Sequence, residues 1–578
     1  MKQLTSILGR RFDLPSAKEL RFIARTLEQK EKIAFWIFFF MFVIGTLGLL
    51  SILNDSAATE VPVSGGAYYE GLVGTPRFVN PLITISDADR DLTELVYAGL
   101  MKPDGRGGLT PELAEKYEVS PDGLTYTFTL RDGLAWHDRE PLTTDDIAFT
   151  VKLVQTPLVR SVKRANWEGV TAEVVDPRVI RFHLKKPYAP FLGNTTLEIV
   201  PKHIWSGASP EQIALSQFNI EPIGAGPYKI KKVTRNSSGI VSAYTLAPFE
   251  NYALGEPFIK EIVLDFYNSE AELLRAYAAG SIEAVGALTP KNAEMLRAGS
   301  RMEPLGLSRI FGVFFNQSKN QALTDINVRK ALALATDKQR IVNDVLSGYG
   351  STIARPIPPG TLGAIENQAG GDIKFDPEAA KALLAKSGWK PNAASGVMEK
   401  KVKKNTQPLE ISISTSVAPD LTTTANLLKD MWGAAGIKTE VKIFEIGDFD
   451  KDVIRSRDYD TLLFGEVVGY DPDPFAFWHS SQRNDPGLNI AMYASTGADK
   501  LLEAARKTTD PAERAEKYAA LQAEIEKDLP AIFIYSPDYL YIVPDHLKGF
   551  DSTNITTGAE RFANVNNWYI DTKKVWRF

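Results

Sequence analysis

The chain has 578 residues and no cysteine, which excludes disulfide frameworks, thiolate-bound zinc, iron–sulfur clusters, thiol nucleophiles and anchoring through a lipidated cysteine. A single hydrophobic core does not grow to this length, so two to four domains are expected. With 66 basic against 71 acidic residues the net charge is −5, which offers no electrostatic footprint for nucleic acid.

Charge is unevenly placed. Residues 1–32 hold eight basic and four acidic groups, so this tail is +4 and everything after it is −9. Ile33 to Leu53 follow, 21 residues without a charge. At about 1.5 Å per residue a helix of that length reaches roughly 30 Å, the thickness of the hydrocarbon layer. Lys30 and Lys32 flank one end, Asp55 and Glu60 the other. The positive-inside rule then leaves 1–32 as a cytoplasmic basic tail and puts the rest outside. Tail residues Leu20, Ile23, Ala24 and Leu27 have helical spacing. They fit either an inner-leaflet helix or a solvated tail. A cleaved signal peptide is the rival to a retained anchor, because Ser56-Ala57-Ala58 offers small residues for a peptidase. The long basic tail and the length of the apolar run favour the anchor.

Residues 54–64 are small and polar with a proline, the composition of a linker. Beyond Gly65, strand and helix signals alternate without a tandem repeat. Leu124, Tyr126, Phe128 and Leu130 alternate with three threonines, predicting a half-buried strand. Ile180, Phe182 and Leu184 repeat this period, as do Ile262, Leu264 and Phe266. Thr143 to Asp146 supply a helix cap and first-turn acids. Asp376-Pro377 opens a helix that Gly388 closes, and Asp510-Pro511 opens another with Tyr518, Leu521 and Ile525 at core spacing. The mixture predicts α/β domains.

A search for catalytic chemistry finds no phosphate loop, nucleophile elbow or zinc-protease motif. The five histidines are dispersed, and His183 lies out of phase with the apolar face of its strand, so it should face solvent. Ser387 and Lys390 have the spacing of a serine–lysine pair but straddle a helix-ending glycine. Asp87, Asp89 and Asp91 imitate a calcium loop, yet Leu92 and Ala98 stand where glycine and glutamate are required. Capping of the next helix is the better use of these acids.

An ordered series of phrases carries more information. It includes Phe78-Val79-Asn80-Pro81, Leu95-Val96-Tyr97-Ala98-Gly99-Leu100, Ser120-Pro121-Asp122-Gly123-Leu124-Thr125-Tyr126-Thr127-Phe128 and Val200-Pro201-Lys202-His203. Gly224-Ala225-Gly226-Pro227-Tyr228, Phe315-Asn316, Val328-Arg329-Lys330-Ala331-Leu332, Ser387-Gly388-Trp389 and Asp471-Pro472-Asp473-Pro474 continue it. In order and spacing, from about residue 65 to 550, the series resembles the extracellular solute-binding protein family 5. These are the peptide- and nickel-binding components of ABC importers.

The resemblance implies an α/β, two-lobed periplasmic-binding-protein-like fold of type II, built from three segments with an inserted domain. Lobe I would take 61–100, 200–305 and 536–578, the insert 101–199, and lobe II 306–535. It implies no cofactor and no chemistry of its own. Ligands of the family bind in the interlobe cleft, and its peptide binders hold the ligand main chain as an added strand. Cleft candidates on the matching phrases are Phe78, Asn80, Phe315, Asn316, Glu466, Val468, Tyr470, Asp471, Asp473, Phe475 and Trp478. Two departures stand out. Val468 falls where peptide binders commonly place an aspartate for the ligand's ammonium, for which Glu466 or Asp471 could substitute. Arg139 replaces a usual glycine, which argues against a positive φ at that turn.

The expected protein is therefore a membrane-anchored extracytoplasmic binder that captures oligopeptides for an ABC permease and its ATPase. A nickel chelate or an oligosaccharide is the alternative ligand. An anchored hydrolase and a partner-recruiting sensor are alternatives from other classes.

Overall fold

The structure is a computed structural model. It describes residues 16, 18, 22, 26 and 28–576, apart from 297, 298, 366–371, 404 and 470; for 51–58 and 576 it describes the backbone alone. The expected tail helix around Leu20 to Leu27 lies outside the described residues. The chain forms two compact units, one of residues 1–63 with 571–578 and one of Ser64–Ile570.

In the smaller unit a helix runs from Gln29 to Ala57. Its stretch Gln29–Leu50 is long and apolar enough to cross a membrane, and it is not covered by protein. The expected linker is ordered instead. Residues 54–57 continue the helix, and Ala58–Pro62 pair antiparallel with Thr572–Trp576, Ala58 opposite Trp576. Thr59, Val61 and Val575 favour extended backbone, and Glu60 sits opposite Lys574, a cross-strand pair of opposite charge. Composition alone hid this strand because its partner lies more than 500 residues away.

The larger unit is organised by one mixed sheet. Its strands are β1 (Gly65–Val73), then β6 (Tyr228–Arg235), β7 (Val241–Pro248), β8 (Ile259–Tyr267), β9 (Ala284–Val285), β10 (Arg301–Leu307), β11 (Arg309–Phe315), β12 (Glu410–Ser416), β13 (Lys438–Phe444), β14 (Thr461–Val467) and β15 (Ala531–Val543). The order across the sheet is β13-β12-β14-β11-β15-β9-β1-β8-β7-β6, with β10 also on β15. Between β1 and β6, a separate antiparallel sheet takes the order β2 (Ala114–Val119), β3 (Thr125–Leu130), β5 (Val179–His183) and β4 (Thr171–Asp176).

The periodicities hold at side-chain level. In β3, Tyr126, Phe128 and Leu130 are buried while the threonines between them are half-exposed. His183 is half-exposed, out of phase with the buried face, and bonds Glu173 at 2.7 Å. Although the 101–199 segment carries its own sheet, it does not have its own core. Phe128, Ile180 and Phe182 join Tyr68, Leu95, Tyr228 and Trp568 in one apolar cluster. The second lobe keeps two clusters, one on each face of its sheet. Val313, Phe315 and Leu463 face one way; Ile310, Phe314 and Leu462 face the other.

Capping chemistry explains the helix starts. Ser86 and Asp89 form a capping box on α1 (Asp87–Val96). Asp89 also accepts from the backbone N–H groups of Arg77 and Phe78 at 2.7 and 2.8 Å. Thr143 and Asp146 cap α2 (Thr144–Gln155) in the same way. Ser387 ends α3 (Pro377–Lys386), and Gly388 takes φ +86, so Ser387 and Lys390 share no helix. One backbone expectation fails: Arg139 does adopt φ +74. Its N–H closes onto Trp136 O at 2.8 Å while Trp136 N–H reaches Glu140 O at 2.9 Å. That tight hairpin demands a left-handed residue, and the turn's bonds offset the strain of a Cβ there.

Candidate functional site

Strand direction defines where a ligand can sit. β15 pairs with β11 through Ala531–Tyr535 and with β10 through Asp538–Val543, so one strand runs from the second lobe into the first. The return crossing is Leu307–Arg309, between β10 and β11. In the second lobe β14 is antiparallel to β11, and β12 and β13 run parallel to β14. Their carboxyl ends therefore point at the crossing. In the first lobe β9 is antiparallel to β15, with β1 and β8 parallel to it, so their carboxyl ends point back. Two rims thus face each other across a two-stranded hinge. The carboxyl edge of parallel strands is where α/β sheets bind ligands.

The first-lobe rim contains Val73 to Phe78, and the second-lobe rim contains Val417, Ile446 and the loop from Glu466 to Asp473. Phe78 is half-buried beside this rim. Asn80 is fully buried and holds its own loop, donating to Asn219 at 3.1 Å and accepting from Leu82 N–H at 3.0 Å. The structure corrects the placement of Phe315 and Asn316. β11 starts at the rim and runs away from it, so both residues lie at the opposite edge, buried. Asn316 is occupied there with Arg457 O at 3.0 Å. Trp478 is also withdrawn, packed in the core against Tyr493 and Phe533.

The loop after β14 divides into two parts. Its far part is tied down. Asp471 pairs with Arg514 of α6 (Pro511–Asp528) at 2.6 Å, and burial pushes its carboxyl up to about 6. Asp473 takes a bidentate pair from Arg506, at 2.9 and 2.5 Å, on α5 (Thr496–Lys507). The Arg506 guanidinium also lies 3.7 Å from the Phe475 ring centre and 5.3 Å from that of Tyr188. Ala189 N–H reaches Arg506 O at 3.0 Å, so this cluster joins the 101–199 segment to the second lobe.

The near part is bound to the crossing. Val468 N–H bonds Ser308 O at 2.9 Å at the crossing, and Val468 packs partly on the core. Tyr470 lies outside the described residues. Glu466 is only 3% exposed, and its Oε1 has no hydrogen-bond partner among the described residues. Burial holds its carboxyl well above the usual range, which favours the protonated form. Arg309 starts β11 opposite Val467 and was missed by sequence reasoning, which stopped at Phe315-Asn316 six residues on.

Two α/β lobes joined by crossing strands, with facing carboxyl rims, define a solute-binding protein of the two-lobed periplasmic type. The family model described as bacterial extracellular solute-binding proteins, family 5 Middle, matches residues 108–487. The chain belongs to that family, whose members bind solutes and are not enzymes. It is 27% identical over 506 residues to the oligopeptide-binding protein AppA of Bacillus subtilis, covering 86% of this chain and 91% of that protein. It is 26% identical over 546 residues to the dipeptide-binding protein of Escherichia coli, covering 89% and 97%. The crystal structure of NikZ from Campylobacter jejuni in complex with Ni(L-His) superposes with TM-score 0.67 at 25% identity, covering 87% and 99%.

Proposed function

We propose that this chain is a membrane-tethered extracytoplasmic receptor that captures oligopeptides between its lobes and delivers them to an ABC permease. The facing carboxyl rims carry this reading, together with relatives that are named as oligopeptide and dipeptide binders. A ligand touching both rims stabilises the closed arrangement, and flexing is confined to Leu307–Arg309 and Ser536–Asp538. Within the larger unit, lobe I is assigned to 64–100, 200–305 and 536–570 and lobe II to 306–535, and the two strand crossings support the limits at 305 and 536. The apolar helix Gln29–Leu50, with the basic tail before it, supplies the tether.

Of the two carboxyl groups weighed for a ligand's ammonium, each keeps one buried oxygen without a hydrogen-bond partner among the described residues, but Asp471 already pairs with Arg514 whereas Glu466 has no ion pair there. An arriving ammonium favours the ionised form of Glu466, so binding is coupled to proton release.

A peptide pool should raise the melting temperature of the full-length protein by mass action. Unchanged melting across di- to decapeptide libraries contradicts the peptide assignment and leaves the fold untouched.

A further inference from the structure

A strong charge imbalance lies in the second lobe, away from the cleft. Between Lys386 and Pro408 the sequence has six lysines (Lys386, Lys390, Lys400, Lys401, Lys403 and Lys404) and one acid, Glu399. That is +5 within a protein of net charge −5. The segment folds as a small sheet of its own, Lys390–Pro391, Met398–Val402 and Asn405–Pro408, paired with no other strand among the described residues. Leu409 leads from it into the amino end of β12. Because β12 has its carboxyl end at the rim, this hairpin hangs from the edge of the lobe that faces away from the cleft.

Its root and its tip differ. Strand alternation puts Met398, Lys400 and Val402 on one face. Met398 is 5% exposed and packs into the lobe core with Trp389, and Lys400 Nζ lies 5.6 Å from the centre of the Trp389 ring. Acids occur at this root. Asp325, Glu410 and Asp460 share a hollow with Lys400, and they are engaged by Asn327 N–H, Lys438 and Ser412 N–H. Glu399 accepts from Asn392 Nδ2 at 2.9 Å. From Lys400 to Pro408 there is no acid at all. Lys401 and Lys403 are exposed without an ion pair among the described residues, and Val402 between them is 42% exposed. Lysines alone are content in water. An exposed apolar residue held between them at a hairpin tip fits a lipid interface, where ammonium groups meet anionic headgroups and the apolar group reaches the acyl boundary. An acidic protein surface answers the lysines and leaves the valine unexplained.

We propose that this tip, Lys401 to Lys403, docks on the anionic headgroups of the membrane that tethers the chain, with Val402 entering the headgroup layer. The proposal rests on the tether reading above. Docking confines the second lobe to the bilayer surface, which raises its effective concentration toward a permease in the same membrane.

The chain has no cysteine, so Asn405→Cys supplies a single site for a nitroxide. Full-length protein is compared in nanodiscs of phosphatidylcholine and of phosphatidylcholine mixed with phosphatidylglycerol. In the anionic discs the label should be shielded from a water-soluble nickel chelate. For three lysines the docked-to-free ratio should rise on the order of 100-fold over neutral discs, and concentrated salt should reverse the rise. Lys401→Gln with Lys403→Gln should lower the ratio about 30-fold, and Val402→Asp should lower it as well, with the melting temperature unchanged. Equal shielding in both discs, or shielding that survives the double lysine substitution, overturns the proposal. A label open to the chelate in anionic discs but covered by added polyglutamate overturns the lipid assignment in favour of an acidic protein. A nitroxide at Ile44→Cys checks the tether separately. If it is shielded while the hairpin label stays in water, the tether stands and the proposal falls; if it is open to the chelate, both fall.

Discussion

Two arginines divide this molecule into a part built for stability and a part built for exchange. In the first lobe Arg561 is completely buried and donates to Glu70 at 3.0 and 2.7 Å and to Asp91 at 2.8 and 2.9 Å. Tyr68 and Tyr541 each bond Glu70 at 2.9 Å and also contact one another. Arg309, at the rim of the second lobe, has no side-chain hydrogen bond or ion pair among the described residues. Charge that is fully answered inside the protein holds the fold together. Charge left unanswered at a cleft is available to something that comes and goes.

The comparison can be broken in several places. Arg561→Met leaves two buried carboxylates facing each other and should cost about 3–5 kcal/mol, read from urea unfolding. Arg309→Gln in the same assay should change stability by less than about 0.5 kcal/mol. Comparable losses would erase the distinction.

Asp538, at the hinge, gives a pH test. Burial raises its carboxyl from 3.8 to about 6. A folded-state value above the unfolded one means stability is full at low pH and falls as pH rises through 6. Asp538→Asn should therefore stabilise the protein by about 2 kcal/mol at pH 7.5 and leave it unchanged at about pH 3, below the unfolded-state value. A gain that is the same at both values removes the titration from the explanation.

Arg506→Ala deletes the bidentate pair with Asp473 and the stacking on Phe475 and Tyr188. A loss of about 1–2 kcal/mol is expected for this partly exposed cluster. Proteolysis should also become faster between residues 187 and 190. The smallest effect is a gain. Arg139→Gly relieves the left-handed turn and should stabilise by about 0.5 kcal/mol, visible as a higher urea midpoint.

Much of the fold was legible because it depends on short-range pattern. Alternation in Leu124–Leu130 and the caps at Thr143 and Asp376 act within a few residues, and the structure follows them. Strand direction acts over hundreds of residues, and that is where site reading went astray. Phe315 and Asn316 belong to the right strand but to its wrong end, because β11 runs opposite to β14. Asp471 and Asp473 sit in the right loop, yet their partners Arg514 and Arg506 come from two helices with no local signal linking them. The linker at 54–64 became partly a strand for the same reason, its partner being Thr572–Trp576. Glu466 was recognisable as a carboxyl near the rim, but only packing shows that it is buried, with Oε1 unbonded among the described residues.

The central claim is that the space between the facing rims holds peptides. Full-length protein purified with its native lipid, denatured, and examined by mass spectrometry for released small molecules tests it most directly. The account predicts a mixture of short peptides released from wild type, well above the level of a mock purification. Release of a single non-peptide compound from wild type, with no peptides above the level of a mock purification, would contradict it.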